Sequence, residues 1–146
     1  MPVKTLTSIS FSPTSLPLSK AFQRCLSQEL YQHRDKQSDH MTINFRDKSY
    51  SAENGGYHPV EIALSKTSEN HYSILYITDF SYCGGPYPEL ERDLDFDIGN
   101  GMAFSRYRGW QNIRQSSVNE LYKLWQSNFV AYVDMGAYDE IKVSSH

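Results

Sequence analysis

The sequence predicts an α+β fold, a mostly antiparallel sheet of about five to six strands with two principal helices packed on one face. Three observations carry this prediction. Two segments repeat apolar residues at three- and four-residue steps, as helices covering a core do. Between them lie several runs of alternating apolar and polar residues, separated by turn signals and not by helical patterns. Such successive hairpins argue against a doubly wound parallel sheet, which needs a helix between most strands. Finally, the chain's 146 residues, 39% of them hydrophobic and 14% aromatic, suffice for one core without metals or disulfides, and residues 1–146 read as a single domain.

Each element follows from its own stretch. Residues 1–16 scatter Val3, Leu6, Ile9 and Phe11 among Thr and Ser before Pro13, an extended or flexible segment that reads as a ragged edge strand. A helix is expected from Pro17, where the missing amide costs nothing in a first turn. Leu18, Phe22, Cys25 or Leu26, and Leu30 form its apolar face, and the polar run QHRDKQSDH should fray it near residues 34–37. MTINF is a short strand. The loop RDKSYSAENGG contains Asn54-Gly55, which suits positive backbone angles, and Arg46 and Asp47 are expected to pair across its base.

YHPVEIALSK alternates Val60, Ile62 and Leu64 with Glu61, Ala63 and Ser65, and Pro59 belongs at the strand's start. HYSILYITDF follows as its hairpin partner, with Tyr72, Ile74, Tyr76, Thr78 and Phe80 expected on one face and Leu75 and Ile77 on the other. PELERDL is expected to add a helical turn. DLDFDI then sets Leu94, Phe96 and Ile98 against Asp93, Asp95 and Asp97, and Gly99-Asn100-Gly101 turns the chain into MAFSRY. Ser117 with Glu120 has the spacing of a capping box, opening a second helix whose stripe is Val118, Leu121, Trp125, Phe129 and Tyr132. Gly136 should end it, and YDEIKVS closes the sheet.

Charge narrows the function classes. Fourteen basic residues face seventeen acidic ones, for a net charge of −3. Nucleic-acid binding depends on a clustered positive surface, and the nearest candidate, Arg106, Arg108 and Arg114 with Tyr107 and Trp110, reads as a solvated strand end and turn. No apolar run approaches the roughly 18 residues of a membrane span, and the opening residues lack the apolar stretch of a signal peptide. Cys25 and Cys83 have neither disulfide-framework nor metal-site spacing. A cytoplasmic protein with no cofactor and no membrane partner is the expectation.

Three groups of residues compete as sites. His58, Glu61 and Asp79 offer a base with an orienting carboxylate, as a hydrolase-like enzyme needs. His58 and Glu61 stand three apart on a strand, which sets them on opposite faces unless Pro59 interrupts the alternation. Asp93, Asp95 and Asp97 lie on one side of a regular strand, nearly 7 Å from one to the next at about 3.4 Å rise per residue. They form the candidate divalent-cation site, although Ile98 stands where a calcium loop requires glycine. The segment Glu89 to Asp97 alone carries a net charge of −4. Tyr72, Tyr76, Tyr82 and Tyr87, with Trp110, form the candidate binding surface, because tyrosine joins an apolar body to a polar handle. There is no GxGxxG fingerprint and no phosphate loop, and the glycines after Asn54 read as turn residues.

The strings NFRDKSYSAENGGYHPVEI, YITDFSYCGGPYPEL, DLDFD and LYKLWQSNFVAY together resemble a small bacterial family catalogued as a domain of unknown function, number 2787. The resemblance spans roughly residues 17–143. It implies a compact α+β protein and supplies no active residues to carry over. The leading expectation is therefore a small soluble binding or accessory protein, non-enzymatic, acting on a protein partner or as a homodimer through an aromatic-rich surface. The hydrolase-like and cation-binding readings stand as alternatives.

Overall fold

The computed structural model describes residues 9–36 and 38–146. Val3 and Leu6 of the expected extended segment lie outside the described residues. The elements are β1 (Ser10–Phe11), α1 (Lys20–Gln32), β2 (His40–Arg46), β3 (Val60–Ser68), β4 (His71–Cys83), β5 (Glu89–Asp97), β6 (Met102–Ser105), β7 (Gly109–Asn112), α2 (Ser116–Asp134) and β8 (Glu140–Ser145). Single 3-10 turns follow α1 and β5. The eight strands join in one sheet of order β7-β6-β5-β4-β3-β2-β8, with β1 added in parallel beside the start of β4. The other pairings are antiparallel. The strand number exceeds the expected five to six chiefly because β7, the four residues GWQN, is too short to display a period of two, while the ragged edge segment contributes only the two residues of β1.

Both helices cover the same sheet face. Phe22, Leu26 and Leu30 of α1 and Val118, Tyr122, Trp125 and Phe129 of α2 bury against Ile43, Phe45, Ile62, Ile77 and Phe96 from the strands. Aromatic edges meet faces through this layer, with Phe45 and Phe129 at 4.9 Å and Phe96 and Tyr122 at 5.1 Å. Such contacts add about 0.5–1.5 kcal/mol each beyond the buried area. The helices are also tied by polar atoms. Gln126 Oε1 accepts from the Ser19 amide at 3.1 Å and the buried Tyr122 hydroxyl at 2.8 Å.

Helix boundaries depart from expectation by small amounts. Ser19, not Pro17, opens α1, its hydroxyl accepting from the Phe22 amide at 3.1 Å. Helix α2 begins at Ser116 with Gln115 at its cap and no side-chain capping bond. The chain is already helical before Ser117, so the expected Ser117–Glu120 box falls inside the first turn. The expected helical turn in PELERDL is instead the start of β5, because Phe80 to Cys83 of β4 provide ladder partners for Glu89 to Arg92. Cys25 and Cys83 are both free, and no helix among the described residues is long and apolar enough to cross a membrane.

Of the three register irregularities in the β3–β4 and β4–β5 ladders, two set which side chains of the site face which way. Ala63 pairs with Tyr76 and Leu64 with Ile74, leaving Leu75 as an extra residue of β4. The extra residue turns Tyr72 and Ile74 into the core beside Ile77, while Tyr76, Thr78 and Phe80 keep to the other face. The expected single alternation through β4 is therefore broken at Leu75. Further on, Asp79 pairs with Leu94 and Phe80 with Arg92, leaving Asp93 as an extra residue of β5.

The loop between β2 and β3 folds around one carboxylate. Asp47 accepts from the Ser49 amide at 2.9 Å and the Tyr57 amide at 3.1 Å, instead of pairing with Arg46. Gly56 has a φ of 138°, and a Cβ there would stand 2.8 Å from Asp47 Oδ2 and 2.9 Å from Tyr50 Cα. Both the angle and the space demand glycine. Gly56→Ala is expected to lower stability in urea denaturation by about 2 kcal/mol or more, as strained backbone positions do. Gly85→Ala, at an open position, should stay within about 0.5 kcal/mol of the parent.

Candidate functional site

The Asp47-centred loop delivers His58 to the sheet. The Pro59 carbonyl accepts from the Phe80 amide at 2.9 Å, extending the β3–β4 ladder by one rung past Val60. His58 therefore shares the helix-covered face with Asp79, and its Nδ1 lies 2.7 Å from Asp79 Oδ1. The second oxygen of Asp79 accepts from Trp125 Nε1 at 3.0 Å, so one carboxylate joins the loop, β4 and α2. Asp93 Oδ2 lies 3.6 Å from His58 Nδ1, and Arg106 Nε lies 3.6 Å from Asp93 Oδ1. Arg106 also donates to Ser81 Oγ. Beside this cluster opens a cavity of about 340 Å³ whose lining includes Tyr57, Asn128, Tyr132 and Tyr138.

Electrostatics follow from this geometry. The hydrogen bond to Asp79 raises the pKa of His58 above its ordinary value, and the charges of Asp79 and Asp93 reinforce the rise against partial burial. With Asp79 accepting, Nδ1 carries a proton, and in the neutral ring Nε2 is the acceptor. A base held by a carboxylate is half of a hydrolytic arrangement. Ser81 Oγ is already the acceptor of Arg106. His58, Asp79 and Asp93 also place three metal-ligating atoms within 4.8 Å of one another.

Of the expected catalytic trio, His58 and Asp79 meet and Glu61 does not. Glu61 pairs with Asn44 and Thr78 on the opposite face, where it accepts from the Tyr76 hydroxyl. The parity of a regular strand after Pro59 is enough to separate it from His58. The expected row of Asp93, Asp95 and Asp97 is also divided. The extra residue in β5 turns Asp93 to the helix-covered side, while Asp95 and Asp97 remain together on the other. Asp93 and Trp125 were not foreseen as members of the cluster. An acid inside the apolar strand HYSILYITDF was the one signal that pointed to Asp79.

Among the described residues, the opposite face carries no helix. A single register row crosses it through Lys142, Asn44, Glu61, Thr78, Asp95, Phe104 and Trp110. The guanidinium carbon of Arg92 lies 5.6 Å from the Phe104 ring centre and 5.3 Å from that of Trp110, and its Nη1 lies 3.5 Å from Asp95 Oδ2. A second cavity of about 340 Å³ is lined by Glu61, Tyr76, Phe80, Arg92, Asp95 and Asp97. Asp95 is 91% buried, and its Oδ1 has no hydrogen-bond partner. Burial, reinforced by the charge of Asp97, pushes its pKa up to about 6 against the nearby Arg92 and a hydrogen bond from Thr78 to the carboxylate. Burial and the bond to Glu61 push the Tyr76 phenol up as well, so it stays a donor.

The expected tyrosine surface does not hold together. Tyr72 is fully buried, having been turned inward by the Leu75 bulge. Tyr82 packs at a tilt against Tyr50, ring centres 5.1 Å apart, and Tyr87 stands 89% exposed on the β4–β5 connection. Tyr76 and Trp110 remain on the uncovered face. The Arg106-Arg108-Arg114 group is likewise divided, since Arg106 turns in toward Ser81 and Asp93.

Comparison with known proteins matches residues 20–144 to a family described as "Protein of unknown function (DUF2787)". Among solved structures, the chain is similar to the hypothetical protein VC0508 from the VSP-II pathogenicity island of Vibrio cholerae. The two are 52% identical with a TM-score of 0.82, over 92% of this chain and 98% of that one. It is also similar to the conserved hypothetical protein VC1805 from the VPI-2 island of the same organism. Here identity is 50% and the TM-score 0.83, over 92% and 99% of the two chains. That second protein is described as sharing structural homology with the human p32 protein. No curated protein matches.

The raised pKa of His58 makes a signed prediction. A group whose folded pKa exceeds its unfolded value of about 6.5 contributes stability below that value and loses it as pH rises through the folded pKa. In EDTA-containing buffer, urea denaturation should show stability falling as pH increases from about 6.5 through that titration. His58→Gln should remove this part of the pH dependence.

Proposed function

The chain belongs to the DUF2787 family of proteins of unknown function, and from that premise we propose that it is a small, non-enzymatic binding protein. Its working surface is the uncovered face of the sheet, and its ligand is a cationic side chain presented by a lysine- or arginine-bearing protein partner. The observation that carries this reading is Asp95, a carboxylate 91% buried with one oxygen unpartnered, in a cavity open on that face. A buried acceptor without a donor costs stability. An arriving ammonium or guanidinium group supplies the missing donor and the opposite charge together.

The surroundings fit the same ligand. Glu61, Asp95 and Asp97 outnumber the single Arg92, so the cavity wall is net negative. Tyr76 and Phe80 provide ring surface against which a cation is favourable. Phe104 and the half-exposed Trp110 extend the wall into an apolar shelf. Exposed tryptophan beside arginine is the composition of interface anchors. The free Cys25 and Cys83 support a reducing, cytoplasmic setting for this activity.

Fluorescence anisotropy with a labelled lysine- and arginine-rich peptide tests the reading. Binding should weaken with added salt, as partly exposed charge pairs do. Asp95→Asn should weaken it about tenfold or more, as loss of a desolvated charge partner does, and Trp110→Ala should weaken it as well. Glu53→Gln, in an exposed loop, should leave it unchanged. A peptide that fails to bind, or binds Asp95→Asn equally well, contradicts the proposal. A dimer in light scattering that Trp110→Ala dissociates would instead make the occupant a second copy of the chain.

A further inference from the structure

We propose that His58 Nδ1, Asp79 Oδ1 and Asp93 Oδ2 form a three-ligand site for a divalent metal ion of the zinc type, on the helix-covered side of the sheet. The site is separate from the cation-binding face, and neither proposal depends on the other.

The donor set suits such an ion. Imidazole nitrogen and carboxylate oxygen are the ligands of zinc and its neighbours in the first transition row. Spacing agrees with it. Bonds of roughly 2.0–2.2 Å to a tetrahedral zinc place donor atoms about 3.3–3.5 Å apart. His58 Nδ1 lies 3.6 Å from Asp93 Oδ2 and 2.7 Å from Asp79 Oδ1, and one ligand atom from each of the three residues falls within 4.8 Å of the others. The ion takes the place of the proton that Nδ1 shares with Asp79, opening that pair by about 0.6–0.8 Å to the tetrahedral spacing.

The second oxygens of the two carboxylates supply an independent argument. Asp79 Oδ2 is held by Trp125 Nε1, and Asp93 Oδ1 faces Arg106, which Ser81 anchors in turn. Each acid thus has one oxygen engaged by an outer group and the other turned toward the same point as His58 Nδ1. Outer partners of this kind fix the orientation of metal ligands. Three protein ligands leave a fourth position, and a cavity of about 340 Å³ opens beside them. That is the pattern of a site with an exchangeable position, unlike the closed four-ligand sites that serve only structure.

Charge alone does not decide between metal and proton. Asp79, Asp93, Arg106 and a neutral His58 sum to one negative charge, which a single proton on His58 also balances. The test must therefore read metal directly. Calorimetric titration of the chelator-stripped chain with zinc chloride, and separately manganese chloride, should show one equivalent bound, with elemental analysis confirming the stoichiometry. His58→Gln and Asp93→Asn should each weaken binding at least tenfold. Trp125→Phe, which removes the positioning hydrogen bond together with part of a buried ring, should weaken it roughly tenfold while leaving one equivalent bound. Asp97→Asn, on the other face, and His146→Gln should bind as the parent does. Circular dichroism checks each fold, and Asp93→Asn alone decides if His58→Gln fails to fold. Absence of heat and of thermal stabilisation by either metal, or undiminished binding in Asp93→Asn, overturns the proposal.

Discussion

The extra residue in β5 is the constraint on which both proposed sites depend. In a regular ladder the three aspartates of DLDFD would line one face, repel one another and discourage pairing at an edge. Because two residues of β5 oppose one residue of β4 after Asp79, Asp93 turns toward the helices while Asp95 and Asp97 remain on the bare side. One strand thereby serves both faces of the sheet. The change is local, yet it determines which acid meets His58 and which meets Arg92.

The two faces solve the problem of buried charge differently. On the covered side Asp79 is fully engaged, with the imidazole on one oxygen and the indole on the other. That carboxylate links a loop, a strand and a helix, so its desolvation is offset by charge-assisted hydrogen bonds. On the bare side Asp95 is nearly as buried but lacks a partner for Oδ1, and its nearest cation stands 3.5 Å from the other oxygen. A fold seeking stability alone would place a neutral residue there. Binding sites tolerate such costs because the ligand supplies what the free protein lacks.

The sequence disclosed the parts of this arrangement that depend on periodicity. The stripes Phe22-Leu26-Leu30 and Val118-Trp125-Phe129 identified both helices and their buried sides, and the parity of β3 separated Glu61 from His58. Extra residues in strands escaped it, because neither Leu75 nor Asp93 carries a glycine or proline to mark the irregularity. Those two positions account for the misplaced Tyr72 and for the divided aspartate row. Trp125 was legible as an apolar helix residue, but its indole N–H finds Asp79 across 46 residues of chain, which no local pattern records. The uncovered face was legible only as a surplus of large residues on both sides of several strands.

The most direct measurement is a carbon NMR titration of the aspartate carboxyl groups between pH 3 and 8. Asp95 should titrate near 6, because burial on the bare face disfavours its charge. Addition of the basic peptide should lower that midpoint, since a neighbouring cation favours the ionised form. An Asp95 midpoint near the ordinary value of about 4, unmoved by the peptide, would contradict the claim that this buried carboxylate awaits a cationic partner.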